Sequence, residues 1–340
     1  MTYLVVGGAG FVGSQLVKKL LERGAFVHIV DNLLSSEKIN IPTDNRVTFI
    51  QGSIADDDVL NSLKDEYDVI FHLATYHGNQ SSIRNPLADH ENNTLTTLKL
   101  FERLKGFQRI KKIVYSGAGC AVAEKTFGQA NACEEVDTVS LDMDSPYSMS
   151  KIFGEFYAKY YCKQQHLPIV RARFQNVFGP GEILGAGQWR GTPATVWRNV
   201  VPTFIYKALK GQPLTVENKG VATRDFIFVE DIVAGLIACA ENGHPGEVYN
   251  LATGEEVSIM TLANTINTLT KNPAPCQFLP KREWDNSGRR YGCPKKSKKD
   301  LGFVTQNDLE EQLRKTIEWT QAHLPLIDQT IQKHIEYMAP

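Results

Sequence analysis

Seven residues near the start, Gly7-Gly8-Ala9-Gly10-Phe11-Val12-Gly13, constrain what this chain can fold into more than any other feature. The run before them, residues 4–6, is apolar and strand-like. After them Val12, Leu16, Leu20 and Leu21 recur on one helical face until Gly24 ends the pattern. Glycines 7, 10 and 13 satisfy GxxGxxG, and glycines 8, 10 and 13 satisfy GxGxxG. Between a strand and a helix, such glycines let backbone N–H groups approach a pyrophosphate, and the helix dipole adds about half a positive charge there. Glycine loops alone are weak evidence, because tight turns use glycine too. Here a second strand-like run, 26–30, follows the helix and ends in Asp31. That is the spacing at which a carboxylate accepts hydrogen bonds from an adenosine ribose. Asp31 repels a 2′-phosphate and no arginine follows it closely, which favours NAD over NADP.

The alternation continues. Strand candidates at 47–50, 69–73, 113–115 and 169–172 are separated mostly by helix-length segments, so the expected class is α/β with a doubly wound parallel sheet. From about Asn176 the rhythm breaks, and Gly179, Pro180, Gly181, Gly185, Gly187, Gly191 and Pro193 crowd together. We expect a dinucleotide-binding domain over 1–175 and a smaller C-terminal α/β substrate lobe over 176–325. The two interleave, with returns to the sheet near 226–252. Composition excludes more than it assigns. With 37 basic and 38 acidic residues the net charge is −1, which argues against a nucleic-acid or anionic-membrane binder. The run Lys295, Lys296, Lys298, Lys299 is too short to change that and reads as a solvated helix start. No stretch approaches the roughly 20 apolar residues of a membrane span, and no signal-like leader is evident. Six cysteines without CxxC spacing suit a reducing cytoplasm. His72, His77 and His90 lack ligand spacing, so no metal is expected.

Tyr147 and Lys151 lie one helical turn apart, with Ser145-Pro146 as a helix start. A lysine beside a tyrosine stabilises the phenolate, making it a base for a sugar hydroxyl near neutral pH. Spacing alone does not prove this, since Tyr206/Lys210 and Tyr291/Lys295 share it. Only Tyr147/Lys151 follows a strand of the dinucleotide half, and the other two pairs are taken as surface coincidences.

Seven motifs in order now carry a resemblance. The glycine loop, Asp31-Asn32, His72-Leu73-Ala74, Asn92-Asn93, Tyr147-x3-Lys151, the run from Arg173 to Pro180 and the run from Thr223 to Val229 are similar to extended short-chain dehydrogenase/reductases. More narrowly, they resemble the nucleotide-sugar epimerase/dehydratase group, from residue 3 to about 320. The resemblance implies a Rossmann-type domain holding NAD, a lobe gripping a nucleotide diphosphate-sugar, transient oxidation of the sugar at C4, and a homodimer through helices around 87–105 and 147–163. Residue by residue it places Gly7, Gly10, Phe11, Val12 and Gly13 at the pyrophosphate and Asp31 and Asn32 at the ribose. Leu73, Ala74 and Asn93 are placed along the dinucleotide, and Phe174 beside the nicotinamide. Asn176, Asn199, Arg224 and Arg282 are placed at the substrate diphosphate, where guanidinium forks suit phosphate oxygens. The family usually carries an Asp before the apolar residue that meets adenine; Ser53-Ile54 stands there.

A second departure bears on mechanism. The family generally reads Ser-Ser-Ser/Thr after the strand ending near Tyr115, and the third hydroxyl binds the reacting sugar oxygen. This chain reads Ser116-Gly117-Ala118-Gly119-Cys120, with Ala118 at that hydroxyl position. Two readings of Cys120 stand: a proton mover at C3 or C5 of a 4-keto sugar, or a small buried apolar residue. Ser116 supplies the hydroxyl if the glycines shift the register. The leading expectation is an NAD-dependent nucleotide-sugar epimerase. The alternatives are a 4,6- or 5,6-dehydratase, which wants a carboxylate near 119–120, and a catalytically silent dinucleotide-binding regulatory protein. The segment 182–199, with Trp189, Arg190, Trp197 and Arg198, is expected to shape the sugar pocket.

Overall fold

The computed structural model describes residues 1–122, 126–285 and 288–338, and the Cys120 side chain is also outside the described set. One all-parallel sheet organises the fold. Its seven strands lie in the order Val248–Leu251, Ile169–Phe174, Lys112–Ala118, Val69–His72, Thr2–Val6, Phe26–Asp31 and Val47–Gln51. Both faces of its centre are covered, which is why these strands are near-continuous apolar runs rather than alternating ones.

Period two still decides which face each side chain joins. Val5 packs with Leu16, Leu20, Ile232 and Leu236, from the helices Phe11–Glu22 and Val229–Asn242 on one side. Leu4 and Val6 pack with Leu100, Phe101, Ala158 and Tyr161, from the helices Thr96–Leu104 and Pro146–Gln165 on the other. The second and third strands lie to one side of the first, and the fourth returns on its other side. That reversal opens a crevice beyond the carboxyl ends of Thr2–Val6 and Val69–His72, the place where doubly wound sheets bind dinucleotides.

Of the two anticipated returns, Val248–Leu251 closes the sheet edge, whereas Phe226–Phe228 pairs with Asn176–Phe178 outside it. The lobe beyond Asn176 has its own core, in which Phe204, Leu262 and Leu313 come from the helices Val200–Leu209, Ile259–Thr270 and Leu309–Ala322. A last long helix, Leu324–Gln332, sets Ile327 and Ile331 against Ile183 and Leu184. Tyr206 and Lys210 both bond the Asp328 carboxylate of that helix, at 2.7 and 2.8 Å, so this pair docks the C-terminal segment. The lysine run opens the helix Lys295–Leu301, but Lys296 turns inward, 3.7 Å from the centre of the Tyr249 ring and ion-paired to Glu247.

Candidate active site

Above the crevice lies a cavity of about 650 Å³ whose walls come from both the sheet and the lobe. At one end the glycine loop presents bare backbone. Gly7 has φ +85°, and an added Cβ there would lie 2.5 Å from the Ala74 nitrogen; at Gly13 it would lie 2.1 Å from the Gly7 carbonyl. At these two positions the loop packs too closely for any side chain. It opens directly into the helix Phe11–Glu22, whose N-cap, Gly10, has no side-chain cap. A backbone cradle at an uncapped helix N-terminus fits a pyrophosphate. Asp31 closes the second strand and accepts hydrogen bonds from Ala9 N–H (3.0 Å), Leu33 N–H (2.8 Å) and Ser36 O–H (2.9 Å). Burial pushes its carboxyl above the usual range, and these bonds pull it back. They fix one orientation while leaving lone pairs for a ribose. Asn32, Ser53, Ile54, Leu73 and Ala74 line the same end. Asn93 does not reach the cavity. Its buried amide instead ties Tyr76 N–H (2.7 Å), Asp89 (2.7 Å) and Ser150 (3.2 Å) together, joining the 75–77 loop to the Tyr147 helix beneath the wall.

At the centre, Ser145 caps the helix Pro146–Gln165 by accepting from Ser148 N–H, and Pro146 opens its first turn. This places Tyr147 and Lys151 on the cavity wall, one turn apart. Lys151 is 4% exposed, and its Nζ donates to the Ser116 carbonyl at 3.0 Å. Ser116 Oγ donates to the His72 carbonyl at 3.0 Å and lies 3.5 Å from Lys151 Nζ. Its hydroxyl thus helps hold the lysine. Ala118 lines the cavity as a methyl group. The preceding Gly117 has a packing reason, because an added Cβ would lie 2.7 Å from Glu155 Oε1. That carboxylate forms a buried bidentate pair with Arg173, at 2.8 and 2.9 Å. Phe174 and Asn176 line the cavity beyond it.

The cavity wall beside Tyr147 holds His77 and Glu182, neither of which had an individual role in the sequence reading. The His77 ring meets the Tyr147 ring edge-on at 5.8 Å. Its Nε2 lies 3.2 Å from Asn199 Oδ1, and the Asn199 amide donates to Glu182. Asn199 is therefore engaged in a chain from Glu182 to His77 at this wall. Burial pushes the Glu182 carboxyl up to about 7, against the pull of Asn199 and Arg198. Burial, with Arg190 and Arg198 nearby, pushes His77 down to about 4, so it is neutral at pH 7. Nothing local in the sequence flags Glu182 or His77; only the fold brings positions 77, 147, 182 and 199 together.

The segment 182–199 does more than line the cavity. Gly187 N–H bonds Glu37, Gln188 N–H bonds the Leu34 carbonyl, and Arg190 and Arg198 bond Ser35. It is stitched to the loop that follows Asp31. At the far end, Arg224 donates to the Gly288 carbonyl at 2.7 Å with Asp285 4.0 Å away, and Arg282 is paired with Glu217 at 2.6 Å. Both arginines line the cavity. His72 is buried against Thr97, and among the described residues no group of three or more His, Cys, Asp or Glu is placed to hold a metal ion.

A backbone cradle suited to a dinucleotide and a tyrosine–lysine pair thus share one cavity. The chain belongs to the NAD dependent epimerase/dehydratase family, whose model matches residues 3–252. It is 31% identical over 318 residues to a putative UDP-glucose 4-epimerase of Methanocaldococcus jannaschii, covering 93% of this chain and 97% of that one. It is 30% identical over 321 residues to UDP-glucuronic acid decarboxylase 1 of Danio rerio, covering 93% of this chain and 72% of that one. The Bordetella bronchiseptica enzyme WbmF, solved in complex with NAD+ and UDP, is 64% identical with a TM-score of 0.89, covering 98% of this chain and 96% of that one. The cofactor is NAD, and the backbone cradle above fits it.

Proposed function

We propose that this chain is a nucleotide-sugar epimerase acting through a transient 4-keto sugar, with a UDP-sugar as substrate. The observation that carries this reading is the single cavity joining the glycine loop, the Tyr147/Lys151 pair and the Arg224/Arg282 end. Bound NAD supplies the electron-pair acceptor for the sugar C–H. Tyr147 takes the proton of the C4 hydroxyl, and Lys151, held by the Ser116 carbonyl, favours the phenolate by its charge. Arg224, Arg282 and Asn176 hold the diphosphate, leaving the sugar to pivot between oxidation on one face and reduction on the other. UDP is preferred because WbmF binds it. The carboxylate that a dehydratase wants near 119–120 is missing, since Gly119 and Cys120 stand there. Cys120 as proton mover at C3 or C5 stays part of the proposal; its test is solvent deuterium uptake into the sugar by a Cys120→Ser variant, where unchanged uptake removes the role. A purely regulatory binder has no use for the retained Tyr147/Lys151 pair.

The proposal extends to a cytoplasmic homodimer. Met149, Phe153, Phe156 and Tyr160 repeat at four-three-four spacing along the helix Pro146–Gln165 and are 44–56% exposed, and Leu87, on the helix Pro86–Asp89, is 73% exposed. Such a stripe is the seam of a helical interface. Sedimentation equilibrium should give twice the chain mass. The main test incubates the purified holoenzyme with UDP-, GDP-, CDP- and dTDP-sugars, following nicotinamide absorbance and product stereochemistry. A C4 epimer from a UDP-sugar supports the reading; loss of water or carbon dioxide replaces it with a lyase.

A further inference from the structure

We propose that Gln175 supplies the hydrogen bond that Ala118 lacks, its side-chain amide donating to the sugar oxygen on the reacting carbon. The inference rests on the nucleotide-sugar reading above and concerns which group replaces the absent hydroxyl. Three observations support this assignment. First, Ala118 sits opposite Phe174 in the parallel ladder, so Gln175 is the first residue past the paired register, at the carboxyl edge where the crevice opens. Second, the amide rests against two residues without side chains. A Cβ added at Gly119 would lie 2.2 Å from Gln175 Nε2, and one added at Gly292 would lie 2.6 Å from it. Any other residue at either position displaces the amide, so Gly119 and Gly292 clear the space that Gln175 fills. Third, Gln175 lines the same cavity as Ala118, Tyr147 and Lys151, half-buried, and among the described residues its amide makes no hydrogen bond. A primary amide offers two donors and an acceptor, and from a half-buried place on the cavity wall the flexible side chain can turn them to whatever enters the cleft.

The exchange of hydroxyl for amide has a chemical consequence. A serine or threonine both donates and accepts, and can join a proton relay with the tyrosine. An amide does not titrate, so it orients and polarises the oxygen while Tyr147 alone moves the proton. Its N–H serves the oxygen equally as hydroxyl and as carbonyl, and the longer side chain reaches over the space left by Ala118 and Gly119.

The test uses the holoenzyme, with UDP and UDP-sugars as probes. Gln175→Ala should slow the first turnover about 100-fold, the usual loss when a donor to a reacting oxygen is removed. It should weaken UDP-sugar binding about tenfold while UDP binding by calorimetry stays within about twofold of wild type. Gly119→Ala, which keeps the amide but pushes it aside, should reproduce both effects. Ala118→Ser placed in the Gln175→Ala background should recover about tenfold of the rate. A Gln175→Ala enzyme within about threefold of wild type, or one losing UDP and UDP-sugar affinity equally, overturns the proposal. A wild-type enzyme that turns over no UDP-sugar refutes the proposed function instead. The ratio of UDP-sugar to UDP affinity in the same two variants then still decides for or against Gln175.

Discussion

The two ends of the cleft are built from different materials. At the dinucleotide end the contacts are backbone, seven consecutive residues and one aspartate, and what matters is the absence of side chains. At the end we assign to the sugar the wall is made of side chains from positions 77, 118, 147, 175, 182 and 199, brought together from separate elements. The first end tolerates no added carbon; the second depends on particular functional groups. Deleting a group should therefore hurt the sugar end, and adding one should hurt the dinucleotide end.

The largest effect follows at the centre. Tyr147→Phe keeps the ring that meets His77 and removes only the oxygen, so kcat should fall about 100- to 10,000-fold, the range for losing a general base. The NAD content of the purified protein should be unchanged. A variant that loses NAD as well as turnover would break the separation of the two ends. Gly13→Ala is the counterpart. Its methyl would sit 2.1 Å from the Gly7 carbonyl, and the overpacking should cost about 1–3 kcal/mol, read as lost NAD retention or a lowered melting temperature.

This difference also explains what was legible in the sequence. Gly7–Gly13 and Asp31 announce themselves because their chemistry is local: the strand, loop, helix and second strand follow one another between Thr2 and Asp31. The parallel sheet was legible for the same reason, since alternating apolar runs leave few other topologies. Phe226–Phe228 was misplaced because a three-residue apolar strand looks the same in either sheet. Asn93 illustrates a subtler failure: its motif was visible, but whether its amide faces the cavity or Tyr76 depends on the winding of residues 90–95, which form a wide π-type turn. The segment that begins at Glu182 was marked, but neither Glu182 nor His77 carried a signal of its own, because a glutamate after a Gly-Pro-Gly turn is ordinary until the fold buries it.

Glu182 gives the next prediction. Its carboxyl is raised to about 7 by burial, against about 4.5 in an unfolded chain. A raised carboxyl pKa means the folded state binds the proton more tightly, so this contribution is fully present below about 4.5 and is lost as pH rises to about 7. The linked penalty is on the order of 3 kcal/mol. Glu182→Gln should remove it, so urea midpoints of variant and wild type should diverge in the variant's favour between pH 5 and pH 7 and run parallel above. Parallel behaviour throughout would mean that Glu182 remains charged in its buried site.

The smallest effect belongs at the rim. Arg282 is 40% exposed, stacks on Trp284 and already has a partner in Glu217 at 2.6 Å. A diphosphate must therefore share or replace that carboxylate, and exposure screens whatever is gained. Arg282→Ala should weaken UDP binding about tenfold or less, raising KM with little change in kcat, because the diphosphate is remote from the reacting carbon. Glu217→Gln should act in the opposite direction. It leaves the guanidinium in place but removes the competing charge, so UDP should bind more tightly, and more visibly so at low salt. Opposite signs from two neighbouring substitutions would establish Arg282 as a phosphate ligand held in reserve by its own carboxylate. If both weaken binding, the Arg282–Glu217 pair instead supports the wall as a unit, and Arg224, more deeply set beside Gly288, carries the diphosphate.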